Sequence, residues 1–203
     1  MTLAAIILAA GSSSRFEDGH KLLVEIGGIP IIRHVCSALA QSKIDDIVLV
    51  TAGTDDAVAM AAQSGRWRQI ENPNAREGLS TSLRAGLGSL EQTADGLLVA
   101  LGDMPGITSK LVDALIMAFE NDPGSIVFPA SHDGRRGHPV IWPRTLFPAL
   151  AKVAGDSGGR TILEAHQDLW RPVTYDDKGA FTDIDTRADL ETFIASDQPT
   201  RRK

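Results

Sequence analysis

Ala5-Ile6-Ile7-Leu8-Ala9-Ala10-Gly11-Ser12-Ser13-Ser14-Arg15 passes from an unbroken apolar run into a run of small residues, and this transition decides the fold class. An apolar run without alternation fits a strand buried on both faces. The small residues after it fit a turn whose backbone something must approach closely. Two similar runs follow, Ile47-Val48-Leu49-Val50 and Leu97-Leu98-Val99-Ala100-Leu101, with amphipathic stretches between them. Pro30 suits a first helical position, and Ile31, Val35 and Leu39 recur on one face. Leu79, Leu83, Leu87 and Leu90 make a second face, started by cap-competent Ser80. Thr108 can cap a third, carrying Leu111, Leu115 and Phe119. The alternation predicts an α/β fold, a Rossmann-like and mostly parallel sheet with helices on both faces. Between Ser125 and Trp142 the rhythm breaks. Ile126-Val127-Phe128 and Pro139-Val140-Ile141-Trp142 read as two strands around the polar turn Ser131 to Gly137, a small β insertion suited to building one side of a site.

The 203 residues fit one domain over 1–195, followed by a polar tail, 196–203. With 26 acidic against 20 basic side chains the net charge is −6, which disfavours a nucleic-acid partner. Cys36 is the single cysteine and falls in an apolar helical pattern, so it reads as a buried structural thiol. The stretch Leu3 to Ala10 is too short to span a bilayer and has no basic segment before it. The expectation is a cytoplasmic protein with no membrane partner.

In a doubly wound sheet, ligands bind beyond the carboxyl ends of the strands. At the first such end, Leu8, Ala9, Ala10, Gly11 and Ser12 let backbone N–H groups form an anion nest. Arg15 adds a fork of donors and Lys21 a mobile point charge, a set that suits a triphosphate. A dinucleotide loop G-x-G-x-x-G is excluded by serine at 12, 13 and 14, and the P-loop pattern is missing. The plain alternative is a small-residue turn with two solvated cations. Gly102-Asp103-Met104-Pro105 closes the third run and brings a carboxylate to the same sheet edge. Asp183-Ile184-Asp185-Thr186 supplies a second acidic group, either member of which can reach a metal, unless Asp185 serves as a helix N-cap. Mg²⁺, which takes one or two carboxylates plus substrate phosphates, fits so sparse a set. The histidines His20, His34, His132 and His166 lack zinc-ligand spacing, and no G-x-S-x-G elbow is present.

Five motifs in order, from Leu8 to about Phe193, carry a resemblance. They are Leu8–Arg15 with Lys21, Gly102–Pro105, Gly137-His138-Pro139-Val140, Gly155-Asp156-Ser157-Gly158-Gly159-Arg160, and Asp183–Thr186. The chain resembles the nucleotidyltransferases of the molybdenum cofactor pathway, specifically the cytidylyltransferase type with its nucleotide-diphospho-sugar transferase fold. The resemblance implies transfer of CMP from CTP to molybdopterin, with release of pyrophosphate. By it, Arg15 and Lys21 hold the triphosphate, Asp103 with Asp185 holds Mg²⁺, and Asn74, Gly78 and Ser80 to Ser82 border the base. It places His138, Asp156 and Arg160 on the acceptor side, with Trp142 a candidate for stacking on a pterin. Transient docking to a molybdoenzyme of the xanthine dehydrogenase type is the partner it implies. Guanylyl relatives read Leu-Ala-Gly-Gly where this chain has Leu8-Ala9-Ala10-Gly11. Phe16-Glu17-Asp18-Gly19-His20 departs from the family loop by lengthening the stretch to Lys21 and adding two acids. Competing readings are a related enzyme using GTP or another phosphorylated acceptor, a non-catalytic molybdopterin carrier, and a nicotinamide oxidoreductase, the last weakened by the missing second loop glycine.

Overall fold

The structure, a computed structural model, describes residues 1–11, 13, 16, 19–53, 57–62, 65–90, 93–156 and 158–197. Strand β1 (Leu3–Leu8) is buried throughout. Its side chains divide alternately, Leu3, Ala5 and Ile7 into one core and Ala4, Ile6 and Leu8 into the other. That is the period-two geometry of a strand covered on both faces. A hairpin of β2 (Glu25–Ile26) and β3 (Ile29–Pro30) stands apart from the main sheet. β4 (Asp46–Thr51), β5 (Arg68–Glu71) and β6 (Gly96–Leu101) build a parallel array with β1. β7 (Ile126–Ala130), β8 (Val140–Pro143) and β9 (Trp170–Thr174) complete a seven-stranded sheet of order β5-β4-β1-β6-β8-β7-β9. The two strands of the expected insertion are thus built into the main sheet. The edge strands β5 and β9 carry no continuous apolar run, so the sequence pattern gives no sign of them.

Helices α1 (Ile31–Ala40), α2 (Ala57–Ala62), α3 (Leu79–Gly88), α4 (Ser109–Asn121), α5 (Phe147–Leu150), α6 (Arg160–Ala165) and α7 (Arg187–Asp197) cover the sheet. Ile31, Val35 and Leu39 of α1 join Leu111, Leu115 and Phe119 of α4 in one core. Leu83 of α3, Leu150 of α5 and Leu163 of α6 join the other. Cys36 is fully buried, and desolvation pushes its thiol up to about 12, the chemistry of an inert packing residue.

The helix starts confirm one expectation and correct two. Thr108 accepts from Leu111 N at 3.2 Å and caps α4 as expected. Pro30 precedes the first helical residue of α1 rather than occupying it. Ser80 does not start α3, because the helix begins one residue earlier and its cap is Gly78 at φ 110°. That conformation favours glycine, and a Cβ on Gly78 would lie 2.7 Å from Asp156 Oδ1. The expected tail from 196 begins inside α7, while residues 198–203 lie outside the described residues. Among the described residues, no helix is long and apolar enough to cross a membrane.

Two features of this topology position a site. β1 and β6 are adjacent and parallel, so the loops that leave them lie side by side at the carboxyl edge of the sheet. β8 alone runs against its neighbours. Its reversal brings its beginning, Gly137 and His138, to the sheet edge where β1 and β6 end.

Candidate active site

The loop after β1 is held to its neighbours by backbone bonds. Ala9 N donates to Val50 O at 2.9 Å, and Gly102 N to Leu8 O at 2.9 Å. The lengthened stretch closes on itself through His20, whose Nε2 lies 2.9 Å from Gly11 O and whose Nδ1 lies 3.2 Å from Ser13 Oγ. Phe16 is buried. Lys21 follows His20 directly and is the first residue of a short 3-10 turn that His20 caps. The expected roles of Ser12 and Arg15 lie outside the described residues.

Lys21 Nζ donates to Asp103 Oδ2 and to Asp185 Oδ1, each at 2.6 Å. The two acidic segments are also stitched together, since Ile184 N donates to Asp103 O at 3.0 Å. Burial pushes the Lys21 ammonium down, and the Asp103 and Asp185 carboxylates more than offset this, leaving its pKa raised. Asp185 is no helix cap. Thr186 and Asp189 make that cap reciprocally, with Thr186 N donating to Asp189 Oδ2 at 2.7 Å and Asp189 N to Thr186 Oγ1 at 3.2 Å. The Asp185 carboxylate itself pairs with Lys21 and lines the cavity.

The donor set fits a hard divalent cation. Two carboxylates touch one positive group, and Asp103 Oδ1 is buried with no partner. Among the described residues, no group of three or more His, Cys, Asp or Glu side chains could hold a metal. Further ligands would come from phosphates and water.

These residues line a polar cavity of about 490 Å³, with Leu8, Ala9, Ala10, Gly11, Asp103, Asp156, Asp183 and Asp185 in its wall. A second cavity of about 580 Å³ shares Leu8, Leu79 and Leu101 with it. The floor of the second is apolar, formed by residues such as Leu83, Val99, Val140, Trp142 and Leu163, and arginines 135, 136 and 160 line it as well. Arg136 stacks over Trp170 at 5.1 Å, Arg135 over Phe181 at 5.6 Å, and Arg160 Nε bonds Glu164 Oε1 at 2.9 Å. His138 lines this cavity with its Nδ1 buried and unpartnered. Burial lowers the His138 pKa, against the opposing effects of a Val99 backbone hydrogen bond and the Asp103 and Asp183 charges. The ring is therefore neutral near neutral pH.

Several sequence expectations are redistributed. Ser80 and Ser82 are buried and line neither cavity. Asn72 Nδ2 donates to Thr81 Oγ1 at 2.8 Å and to Ser82 Oγ at 2.9 Å, so these hydroxyls are spent inside the protein. Asn74 serves the same network, its N bonding Asn72 Oδ1. It is Leu79 that reaches both cavities. The motif from Gly155 to Arg160 splits as well. Asp156 faces the polar cavity and accepts from Leu79 N at 3.2 Å, whereas Gly158, Gly159 and Arg160 line the apolar one. Sequence reasoning missed Arg135, Arg136 and Phe181. Paired arginines between Gly134 and Gly137, just before a motif, were the available signal.

The family model described as the MobA-like NTP transferase domain matches residues 5–169. Nicotine blue oxidoreductase of Paenarthrobacter nicotinovorans is 29% identical over 191 residues, covering 91% of this chain and 92% of that protein. The bifunctional protein GlmU of Sinorhizobium fredii is 38% identical over 116 residues; the match covers 56% of this chain and only 25% of that protein. Rv0371c of Mycobacterium tuberculosis shares the fold at TM-score 0.83 and 24% identity, covering 96% of this chain and 98% of that one, and has also been solved as a complex with manganese. The chain belongs to the MobA-like NTP transferase domain family.

Proposed function

We propose that the chain, a nucleotidyltransferase of this family, moves CMP from CTP to molybdopterin and releases pyrophosphate. The observation that carries the proposal is the pair of adjoining cavities, one with the Lys21 ammonium among the Asp103, Asp156, Asp183 and Asp185 carboxylates, the other with an apolar floor and arginines 135, 136 and 160 in its lining. Leu8, Leu79 and Leu101 line both. Two substrates held so would meet at the shared wall, beside Asp103.

In this reading the backbone of Ala9, Ala10 and Gly11 cradles the phosphates, and Arg15 holds the β- and γ-phosphates. Asp103 and Asp185 hold Mg²⁺, which when bound supplies charge neutralisation on the phosphates. A divalent ion is supported by the donor set and by the manganese complex of Rv0371c. The acceptor's phosphate oxygen attacks the α-phosphorus in line, the bond to the β-phosphate oxygen breaks, and pyrophosphate leaves. A phosphate monoester is already anionic near neutral pH, so no strong base is needed. Positioning and charge stabilisation carry the step. His138 orients the acceptor by hydrogen bonding, and Trp142 and the arginine rim grip its ring and charge. The test is incubation with molybdopterin, Mg²⁺ and each nucleoside triphosphate in turn. Pyrophosphate release with CTP alone supports the proposal, and release with none of them overturns it.

A second reading has a specific observation behind it, the match along most of both chains to a protein named as an oxidoreductase. In that reading the apolar cavity takes a flat heterocycle and the polar cavity a nicotinamide cofactor. Titration with NADH separates the two, because saturable binding that CTP fails to displace would favour the oxidoreductase.

A further inference from the structure

We infer that Lys21 is a built-in counter-cation that guards the Asp103–Asp185 pair, so that a divalent metal binds tightly only together with a polyphosphate able to draw the ammonium away. The inference rests on the reading of the polar cavity as a metal–triphosphate site.

One ammonium occupies the contact position of two carboxylates at once, at 2.6 Å from each. Its side chain is only 14% exposed, so water screens these contacts little. A metal that used Asp103 Oδ2 and Asp185 Oδ1 would need the oxygens that Lys21 already holds. Metal and ammonium thus compete for the same ligands. The remaining Asp103 oxygen, Oδ1, is buried and without a partner.

The arrangement also gives the ammonium somewhere to go. Lys21 sits on a four-carbon stem, and Ala9, Ala10 and Gly11 line the same cavity. A polyphosphate against that backbone would offer the ammonium new oxygen partners and release both carboxylates. Affinity for metal and for polyphosphate must then rise together, each increasing the other by the same factor. An enzyme built this way avoids holding a bare metal in its cleft and takes metal and nucleotide as a unit.

The experiment measures Mn²⁺ binding alone by electron paramagnetic resonance for the wild type, Lys21→Met and Lys21→Gln, with circular dichroism confirming the fold of each. Both variants should bind Mn²⁺ about tenfold more tightly than the wild type. The double variant K21M/D103N should lose that gain. Adding CTP without acceptor should tighten Mn²⁺ binding more in the wild type than in Lys21→Met. Variants that bind Mn²⁺ alone no more tightly than the wild type would overturn the inference, as would a gain that persists in the double variant. If the gain appears but CTP changes nothing, the counter-cation role stands and the triphosphate reading of the cavity fails. A measurement on the wild type keeps the test independent of folding. Saturating Mn²⁺ should raise acylation of Lys21 by an amine reagent, read by mass spectrometry, and unchanged labelling would overturn the inference.

Discussion

The two cavities that meet at Leu8, Leu79 and Leu101 are built by different means. The polar one is made from loops that directly follow β1 and β6, joined by the segment 183–185. Its polar groups are backbone amides, the Lys21 ammonium, the Asp103 and Asp185 carboxylates 2.6 Å from it, and the carboxylates of Asp156 and Asp183. The apolar one is made from side chains of β8, α3 and α6 and from Phe181, with guanidinium groups at its rim. In the first, geometry is fixed by main chain and tight ion pairs, so a change in one charged atom should act on the chemical step. In the second, many contacts share the load, so single changes should act on acceptor affinity. The sharpest test of this contrast is Asp103→Ala. It should lower kcat by about 10³-fold, roughly 4 kcal/mol of transition-state stabilisation, in a protein that still folds. A folded variant with near-normal pyrophosphate release would remove Asp103 from the chemistry and dissolve the contrast.

Asp185 and its neighbour Thr186 allow a finer division between chemistry and stability. Because Thr186 and Asp189 cap α7, Asp185→Asn should lower turnover by about 10²-fold with little change in melting temperature. Thr186→Ala should do the reverse, costing about 1 kcal/mol of stability with turnover largely kept. Thermal melts paired with pyrophosphate release decide the matter. An Asp185 variant that fails only by unfolding would return it to a capping role.

How much of each cavity could be read from the sequence follows from the same difference in construction. Loops at the ends of buried strands announce themselves, since an apolar run followed by Ala9-Ala10-Gly11 or by Gly102-Asp103 marks strand, edge and turn together. The central strands β1, β4 and β6 and the helix α4 with its Thr108 cap were legible for this reason. The apolar cavity assembles only when the chain folds. Phe181 reaches it because Gly137 packs against Ala180 and Phe181, so closely that a Cβ there would lie 2.2 Å from Ala180 O. No local pattern encodes that approach. Ser80 and Ser82 misled for the opposite reason: their hydroxyls look available in sequence, yet both are buried, Ser82 Oγ bonded to Asn72 Nδ2 and Ser80 Oγ without a partner. The edge strands β5 and β9 escaped because half-exposed strands need no apolar run.

The apolar cavity is probed through Gly159, which lies against Trp142. A Cβ at this position would come within 2.5 Å of Trp142 Cζ2 and displace the indole. Gly159→Ala should raise the KM for the acceptor about tenfold, or roughly 1.4 kcal/mol, while leaving the KM for CTP unchanged. Equal effects on both constants would mean that the two cavities do not act separately. His138 offers a pH test of the same wall. Burial depresses its folded pKa below the ordinary 6.5, so the unfolded chain takes up the proton first. Stability must then fall as the pH drops through that value. Between about pH 7.5 and about pH 5.5 the wild type should lose more thermal stability than His138→Gln. Parallel losses in the two proteins would place His138 in a wetter setting than the cavity provides.

The smallest expected effect concerns base choice. Ala10 lines the polar cavity, at the position where the resemblance sets glycine in guanylyl relatives. With Ser80 and Ser82 turned inward, their hydroxyls do not face the base, and discrimination must rest more on shape. Under the proposed CTP reading, the Ala10 methyl would narrow the space for a purine in the cavity that Leu79 also lines. Shape alone excludes weakly, since one methyl group in a pocket is worth roughly 1–3 kcal/mol. Ala10→Gly should therefore relax the preference for CTP over GTP by only about tenfold and leave turnover with CTP intact. Competition between CTP and GTP at equal concentration, with the dinucleotide products separated, measures this ratio directly. A preference that survives Ala10→Gly unchanged would shift the source of base choice to the backbone of the loop. Predominant guanine product from the wild type would overturn the cytidylyl proposal and leave the two-cavity architecture as it stands.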